Sequence, residues 1–292
     1  MRITQQAITY QNLERLQNRL EQLAQAQSSL GSGKRIHKPS DDPSAMNRSM
    51  SLRGLQAASD QAARNASDGL MWTSLADSKL QTLLDRLHRA RELAIRSGSV
   101  TNDAEREAFA KELESIREEA IAIANSRIGD RALFAGTADG DAVASDGTEY
   151  LGNDGDVERR VGPKDVVKVN VDGESVFGFK GGRDLFSVLQ DLTDRIAAGD
   201  HDAVQTSIGE IDDSMDRILS ALAELGAATN RIEAAQRRNA DEKLSLQDRL
   251  SQVESVDVAE AIMQLQLQQV AYEATLGALA RSIQPSLIDF LR

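Results

Sequence analysis

The residue types best suited to catalysis or metal binding are few in this chain and stand far apart. His37, His88 and His201 are the only histidines. Asp85 and His88 have the spacing of half a di-metal site in a helical bundle, but such a site needs a second carboxylate–histidine pair, which the sequence lacks. No histidine has an evident nucleophile and orienting acid beside it. We therefore expect no enzyme activity, no catalytic residues, no bound metal and no cofactor.

Two acidic, glycine-rich stretches are the other candidates for chemistry. Residues 139–141 read Asp-Gly-Asp, and residues 153–156 read Asn-Asp-Gly-Asp. Neither has the spacing of a calcium-binding EF-hand loop, and glycine beside aspartate is typical of turns. Turns are the simpler interpretation. A metalloenzyme or a binding module that uses these loops is the alternative, and metal analysis of the purified protein would decide between them.

The overall composition favours long helices and excludes several classes of protein. Of the 292 residues 40% are hydrophobic but only 3% are aromatic, and cysteine is absent. A net charge of −12 argues against a nucleic-acid partner, because phosphate binding needs an excess of Lys and Arg. The N-terminal residues lack the apolar run of a cleaved signal peptide, and no run of about 18 apolar residues occurs that could span a membrane.

The first half of the chain has the apolar spacing of long helices. Gly31 and Gly33 are expected to stop the first helix, which has a heptad pattern. Asp42 as N-cap with Pro43 at the first helical position predicts a second helix, which we expect to run to Ser97. A third helix follows Asn102. The predicted heptad positions of the first helix are Leu13, Leu16, Leu20, Leu23, Gln27 and Leu30.

The last part of the chain has the longest regular pattern. One seam of apolar and polar core positions continues from Ile208 to Val253 and predicts a helix on the order of 80 Å long. The register skips by one residue at Val258, which predicts a joint. We interpret Gln27 and Gln269 as polar core residues that set the register. The seam after the joint contains Val258, Ile262, Leu265, Gln269, Tyr272, Leu276, Leu279 and Ile283.

Between these helical regions the composition changes to Gly, Asp and alternating Val. Residues 157–161 and 167–171 are predicted to form two strands, followed by an Asp172-Gly173 turn, and residues 184–198 a short amphipathic helix. The expected fold class is mainly α, a long antiparallel helical rod or coiled-coil bundle with a small β-rich inserted subdomain. We expect terminal coiled-coil assembly arms at 1–35 and 258–292, a helical rod domain at 36–132 and 183–257, and the insertion at 133–182.

A series of short motifs begins with Met1–Thr4, continues with Gly31–Ile36 and Ser40–Pro43 and ends with Pro285–Leu291. In order and spacing these motifs resemble the flagellin superfamily. Four features look like the hook-associated branch of the superfamily: Pro43 after Ser-Asp-Asp, Trp72, the Leu133–Gly136 motif, and the Ser286–Phe290 ending. Filament subunits typically have Ala-Asp-Asp-Ala-Ala-Gly at the first of these positions. Asp130-Arg-Ala departs from the usual glycine-arginine-tyrosine-like triplet. The resemblance rests on Met1–Thr4, Gly31–Ile36, Ser40–Pro43, Asn65, Asp68-Gly69, Arg89–Leu93, Leu133–Gly136, Val256–Ile262 and Pro285–Leu291.

The resemblance implies a structural, non-catalytic subunit of the bacterial flagellum that serves motility. Such subunits are exported unfolded through the flagellar type III apparatus, and copies assemble as a ring through paired terminal helices. The ring would join the hook, through the first hook-associated protein, to the flagellin filament. A chaperone is expected to hold the C-terminal helix, residues 258–283, before export. The alternative within the superfamily is a flagellin filament subunit.

Overall fold

Helices dominate the computed structural model, which describes residues 2–99, 101–181 and 183–288, with the side chains of residues 2–9 and 281–288 outside the description. The predicted mainly helical fold class is confirmed, because 72% of the chain is helical. The described elements are α1 (Arg2–Ser32), α2 (Pro43–Ser97), α3 (Asp103–Ala124), β1 (Arg127–Ile128), β2 (Arg131–Ala132), β3 (Glu158–Arg160), β4 (Val166–Lys168), α4 (Gly173–Val176), α5 (Leu185–Ala198), α6 (His201–Glu254) and α7 (Val258–Ile288).

The helix ends follow from local capping chemistry. Asp42 accepts a hydrogen bond from the Ala45 N–H at 3.0 Å, and α2 begins with Pro43 as predicted. Gly199 ends α5 with a φ of 73°, a left-handed conformation whose energetic cost is lower for glycine than for other residues. A cap of this kind replaces the hydrogen bonds that a helix end lacks, so short polar residues suffice to fix these boundaries. The side chains of Asn102, Asp184 and Asp200 likewise accept hydrogen bonds from the first turns of α3, α5 and α6.

The chain divides into two compact units. Unit 1 comprises residues 1–57 and 243–292, and unit 2 comprises residues 58–242. Unit 2 contains the four described strands and a continuous apolar core, in which α3 packs against α5. No position of the predicted α6 seam between Ile208 and Asn239 is exposed. The packing of this part of α6 therefore follows the periodicity of its sequence.

The strands form two small antiparallel sheets. β1 pairs with β2, and β3 pairs with β4 with Arg159 opposite Val167. β3 lies within the predicted strand 157–161, whereas β4 begins one residue before the predicted strand 167–171 and ends at Lys168. The predicted turn at Asp172-Gly173 is wrong in kind: Asp172 accepts a hydrogen bond from the Glu174 N–H at 3.1 Å and caps α4. An aspartate before glycine can serve either role, so the dipeptide alone did not distinguish a turn from a helix start.

The motif residues Asn65, Asp68 and Gly69 bring α2 against the β3–β4 sheet. The Asn65 amide donates to the Arg160 carbonyl at 2.9 Å, and Asp68 pairs with Arg159 at 2.5 Å. Gly69 lies where a Cβ atom would come within 3.3 Å of the side chains of Val169, which directly follows β4, and Ile232 of α6. Glycine costs about 1 kcal/mol relative to alanine inside a helix. Here its missing side chain permits the close approach of the sheet.

Gly136→Ala should destabilise unit 2 by about 2–4 kcal/mol. Gly136 has a φ of 68°, and a Cβ atom there would collide with the backbone carbonyl of Asn153. Urea unfolding followed by the fluorescence of Trp72, which is buried in the same unit, measures the change. The matched control is Gly226→Ala, at a helical position with no atom within 4 Å of the new Cβ. This control should be stabilising by about 0.5–1 kcal/mol, and equal effects of the two substitutions would contradict the prediction.

Candidate assembly surface of the terminal helices

The two terminal helices of unit 1 pack against each other in antiparallel directions. One cavity between them is lined by residues 12–22 of α1 and residues 274–279 of α7. A second cavity is lined by residues 22–29 of α1 and by residues 256–268, which include the start of α7. The beginning of each helix therefore lies beside the end of the other, as in an antiparallel coiled-coil pair.

Within this pair, one heptad position of each helix faces its neighbour. We call the residues at this position, three in each helix, the inner face. They recur at every seventh position and are half-buried, so each contributes part of its apolar area to the contact. The inner face consists of Leu16, Leu23 and Leu30 in α1 and of Leu265, Tyr272 and Leu279 in α7.

The other predicted heptad position of each helix is exposed in the single chain. We call these residues the outer face: Leu20 is 52% exposed and Leu276 is 41% exposed. Val258, at the start of α7, is also exposed, and Ile283 lies beyond the described side chains. The two predicted polar core residues belong to the outer face and have solvent around them in one chain. The full outer face is Leu13, Leu20, Gln27, Ile262, Gln269 and Leu276.

Unit 1 exposes far more apolar surface than unit 2. Of 17 exposed large hydrophobic side chains in the described part of the chain, 12 lie in unit 1. The heptad analysis missed Met263, Leu267 and Val270 on α7, although their apolar types were visible in the sequence. Contiguous exposed apolar surface of this kind marks an interaction site. Among described residues, the buried hydrophobic side chains of unit 1 are only Ile36, Ala45, Leu246 and Ala261.

A three-residue break separates α6 from α7 and lies beside the turn that follows α1. Asp257 caps α7 by accepting a hydrogen bond from the Ala259 N–H at 2.9 Å. The Arg35 N–H donates to the Glu254 carbonyl at 2.7 Å, and the Val256 N–H donates to the Gly33 carbonyl at 3.0 Å. The joint expected at Val258 from the register skip is therefore observed. Backbone hydrogen bonds hold it to the turn that follows α1.

One buried carboxylate organises this joint. Glu254 is 7% exposed, and its carboxylate accepts hydrogen bonds from Ser49 and, at 2.8–3.0 Å, from Arg53. Lys34 lies 3.1 Å from the same carboxylate. We call these four residues the Glu254 cluster. Sequence reasoning missed it, because Glu254 and Ser49 are 205 positions apart and no local pattern links them.

Comparison with known protein families agrees with this architecture. Residues 3–139 match the family model for the bacterial flagellin N-terminal helical region, and residues 208–291 match that for the C-terminal helical region. Together these matches cover more than half of the chain. The chain belongs to the bacterial flagellin family. The predicted family is confirmed, and with it the role of a structural component of the bacterial flagellum.

Relatives of this flagellin-family chain match it nearly end to end. Flagellar hook-associated protein 3 of Escherichia coli is 24% identical over 95% of this chain and 96% of its own length. The protein of the same name from Salmonella typhimurium is 25% identical over 94% of this chain and 95% of its length. A flagellin of Halalkalibacterium halodurans is 27% identical over 91% of this chain and 89% of its length.

Two solved structures share the fold of this flagellin-family chain. FlgL of Bacillus cereus has a TM-score of 0.60 at 22% identity, over 69% of this chain and 99% of that one. Flagellar hook associated protein-3 of Legionella pneumophila has a TM-score of 0.62 at 15% identity, over 69% of this chain and 98% of that one. At these identities the likeness establishes the fold.

The candidate metal residues of this flagellin-family chain are not gathered into a site. Asp141 pairs with Arg127 at 3.1 Å, and Asp156 pairs with Lys168 at 2.5 Å. His88 is exposed on α2. Within the residues that the structure describes, no group of three or more His, Asp or Glu side chains is suited to hold a metal ion. None of the described helices is long and apolar enough to cross a membrane.

The Glu254 cluster predicts an acid-sensitive joint. Burial opposes ionisation of Glu254, but hydrogen bonds from Arg53, Ser49 and Lys34 outweigh it and lower its pKa from 4.5 to about 2. The unfolded chain therefore takes up a proton at a higher pH than the folded chain does. The contribution of Glu254 to stability should be complete above about pH 4.5 and lost as the pH falls towards 2.

This pH dependence can be measured against a variant that lacks the titrating group. Urea unfolding of the original chain and of Glu254→Gln, followed by circular dichroism, should differ most above pH 5 and converge as the pH approaches about 2. A difference in unfolding free energy that stays constant between pH 6 and pH 3 would contradict the role given to this carboxylate.

Proposed function

We propose that this chain is the subunit that joins the hook to the filament of the bacterial flagellum. The exposed outer face of the α1–α7 pair carries the proposal, because a structural subunit with so much unpartnered apolar surface needs neighbours. The end-to-end similarity to two relatives named for their association with the hook supports this position in the flagellum.

In this role the terminal segments 1–35 and 258–292 act as assembly arms. The segments 36–132 and 183–257 form the supporting helical domain, and 133–182 is the insertion. Outer-face residues such as Leu20 and Leu276 are buried against arms of other copies in a ring. Full burial of a leucine side chain contributes about 1.5–3 kcal/mol. Contacts with the first hook-associated protein on one side and with flagellin on the other complete the junction.

Export through the flagellar type III apparatus accounts for further features. A chain that is threaded unfolded benefits from having no cysteine, since no disulfide can form early. The apolar residues Met263, Leu267 and Val270 on α7 would be exposed before assembly. An export chaperone that covers residues 258–283 would prevent their aggregation. The subunit acts by binding and has no enzymatic step.

A deletion strain tests the proposed position. Cells that lack this chain should build hooks without filaments, release flagellin into the medium and lose motility. Electron microscopy of the cell surface and immunoblots of the medium give the readout, and expression of the intact chain should restore filaments. Filaments of normal number and length in the deletion strain would exclude the junction role.

The second candidate is a flagellin filament subunit, which the similarity to a flagellin over 91% of this chain favours. Purified protein distinguishes the two functions, because a filament subunit should grow long filaments unaided after seeding. A junction subunit should stop at short oligomers under the same conditions.

A further inference from the structure

A pocket beside the Glu254 cluster offers a surface separate from the outer face. It has a volume of about 280 Å³ and lies between the linker after α1 and the first turns of α2 in unit 1. Ile36, Met46 and Met50 supply apolar walls, and Lys34, His37 and Arg53 supply polar and cationic groups. We call it the linker pocket. Met50 is 63% exposed at its edge, so the pocket opens to solvent.

The linker pocket carries an excess of positive charge. Lys34 and Arg53 both pair with the single carboxylate of Glu254, which leaves one cation uncompensated by that group. His37 and Lys38 follow in the linker, where Asp41 accepts hydrogen bonds from their backbone N–H groups. The Asp41 carboxylate also offsets the charge of Lys38, so the excess beside the pocket is one cation, from Lys34 and Arg53 against Glu254. A pocket of this kind fits an apolar side chain accompanied by an acidic one.

Unit 2 of the same chain has an exposed apolar side chain beside an acidic one. Unit 1 contains 12 Lys and Arg residues and 10 Asp and Glu residues. Unit 2 contains 22 Lys and Arg residues and 36 Asp and Glu residues, so unit 2 is the acidic one. Leu219 on α6 is 48% exposed, and one helical turn away on either side stand the exposed Asp216 and Ala223. By contrast, the exposed Ile95 of unit 2 follows Arg91 by one turn and precedes Arg96.

We propose that the linker pocket of one copy receives the Leu219 ridge, formed by Asp216, Leu219 and Ala223, of a second copy. Leu219 packs between Met46 and Met50, Asp216 faces the cationic side of the pocket, and the small Ala223 lets the helix approach. The two surfaces differ, so each copy offers one to the next and the contact can repeat around a closed ring. This contact rests on the proposed assembly of copies, and it adds an interface outside the arms.

Cysteine cross-linking tests the contact, since the natural chain has no cysteine. Two variants, Met50→Cys and Leu219→Cys, are co-expressed in the deletion strain, so that every link between them joins two copies. Isolated flagella are treated with a short bismaleimide and analysed by immunoblot. The controls pair Met50→Cys with Met71→Cys or Ile95→Cys, whose original side chains are 55% and 54% exposed. The Met50–Leu219 pair should give about tenfold more cross-linked dimer than either control.

Charge reversal provides the second arm of the test. Asp216→Lys in the Leu219→Cys copy should lower the yield to the control level, because it brings a cation to a cationic pocket. Equal yields for all three cysteine pairs, or links from Met50→Cys to a different flagellar protein only, would overturn the proposed contact. If cross-linking gives one of these negative results while the strains still build filaments, the proposed contact is excluded and the junction function is unaffected. If filaments also appear without any copy of the chain, the junction function falls.

Discussion

Leu276→Asp should abolish incorporation of the subunit into flagella and leave the isolated chain folded. Leu276 belongs to the outer face and is 41% exposed in the single chain, so a carboxylate there stays hydrated before assembly. In the assembled junction the same carboxylate would be buried among apolar arms, at a cost of several kcal/mol. Each 1.4 kcal/mol lowers association about tenfold, so swimming and filament formation should be lost.

Leu279→Asp is the matched control for the Leu276 substitution. Leu279 is half-buried on the inner face, three residues further along the same helix. The same change there should separate α1 from α7 even in the isolated subunit, so helix content by circular dichroism should fall for Leu279→Asp and hold for Leu276→Asp. Normal swimming and normal filaments with Leu276→Asp would contradict the assignment of the outer face as an assembly surface.

Glu254→Gln should destabilise the joint between α6 and α7, which is held to the turn after α1, by about 1.5–3 kcal/mol, the range for hydrogen bonds to charged groups. The substitution keeps the shape of the side chain but removes the charge that Arg53 and Lys34 share. Both cations are about half exposed and can regain water, so the cost stays below that of two stranded charges. The backbone hydrogen bonds that link Arg35 and Val256 across the joint should then break more often.

Amide hydrogen exchange measures this opening at the two residues concerned. The N–H groups of Arg35 and Val256 should exchange about 10- to 150-fold faster in Glu254→Gln than in the original chain. Glu273→Gln, the same change at an exposed position of α7, should leave both rates unchanged. Equal exchange rates in the original chain and in Glu254→Gln would show that the cluster does not hold the joint.

Features set by neighbouring residues could be predicted from the sequence. The start of α2 at Pro43, the cap at Asn102 and the short helix predicted at residues 184–198 each depend on side chains within a few residues, and the structure has them where expected. The register skip at Val258 corresponds to the break between α6 and α7, after which Asp257 caps α7. Capping and periodicity are local properties, so one sequence is enough to predict them.

Features that depend on distant residues could not be predicted in the same way. Nothing near Glu254 distinguishes it from the other glutamates of a polar helix, because Ser49, Arg53 and Lys34 reach it only in the folded chain. The heptads gave the apolar positions of the arms without showing which of them pair inside one chain. Of the two predicted heptad positions, one is half-buried within the chain and the other is exposed, and the proposed assembly uses the exposed one.

The backbone hydrogen bonds at the joint also constrain the order in which the chain folds. Arg35 and Val256 take part in bonds whose partners are more than 200 positions away along the sequence. Closing so long a loop has an entropic cost that the more local contacts of α3 with α5 do not incur. Unit 1 therefore cannot be completed until the last helix is available to pair with the first. If the chain is exported unfolded, as proposed above, the first helix stays unpaired until the C-terminal helix follows it, and the C-terminal helix then determines when the α1–α7 pair is complete.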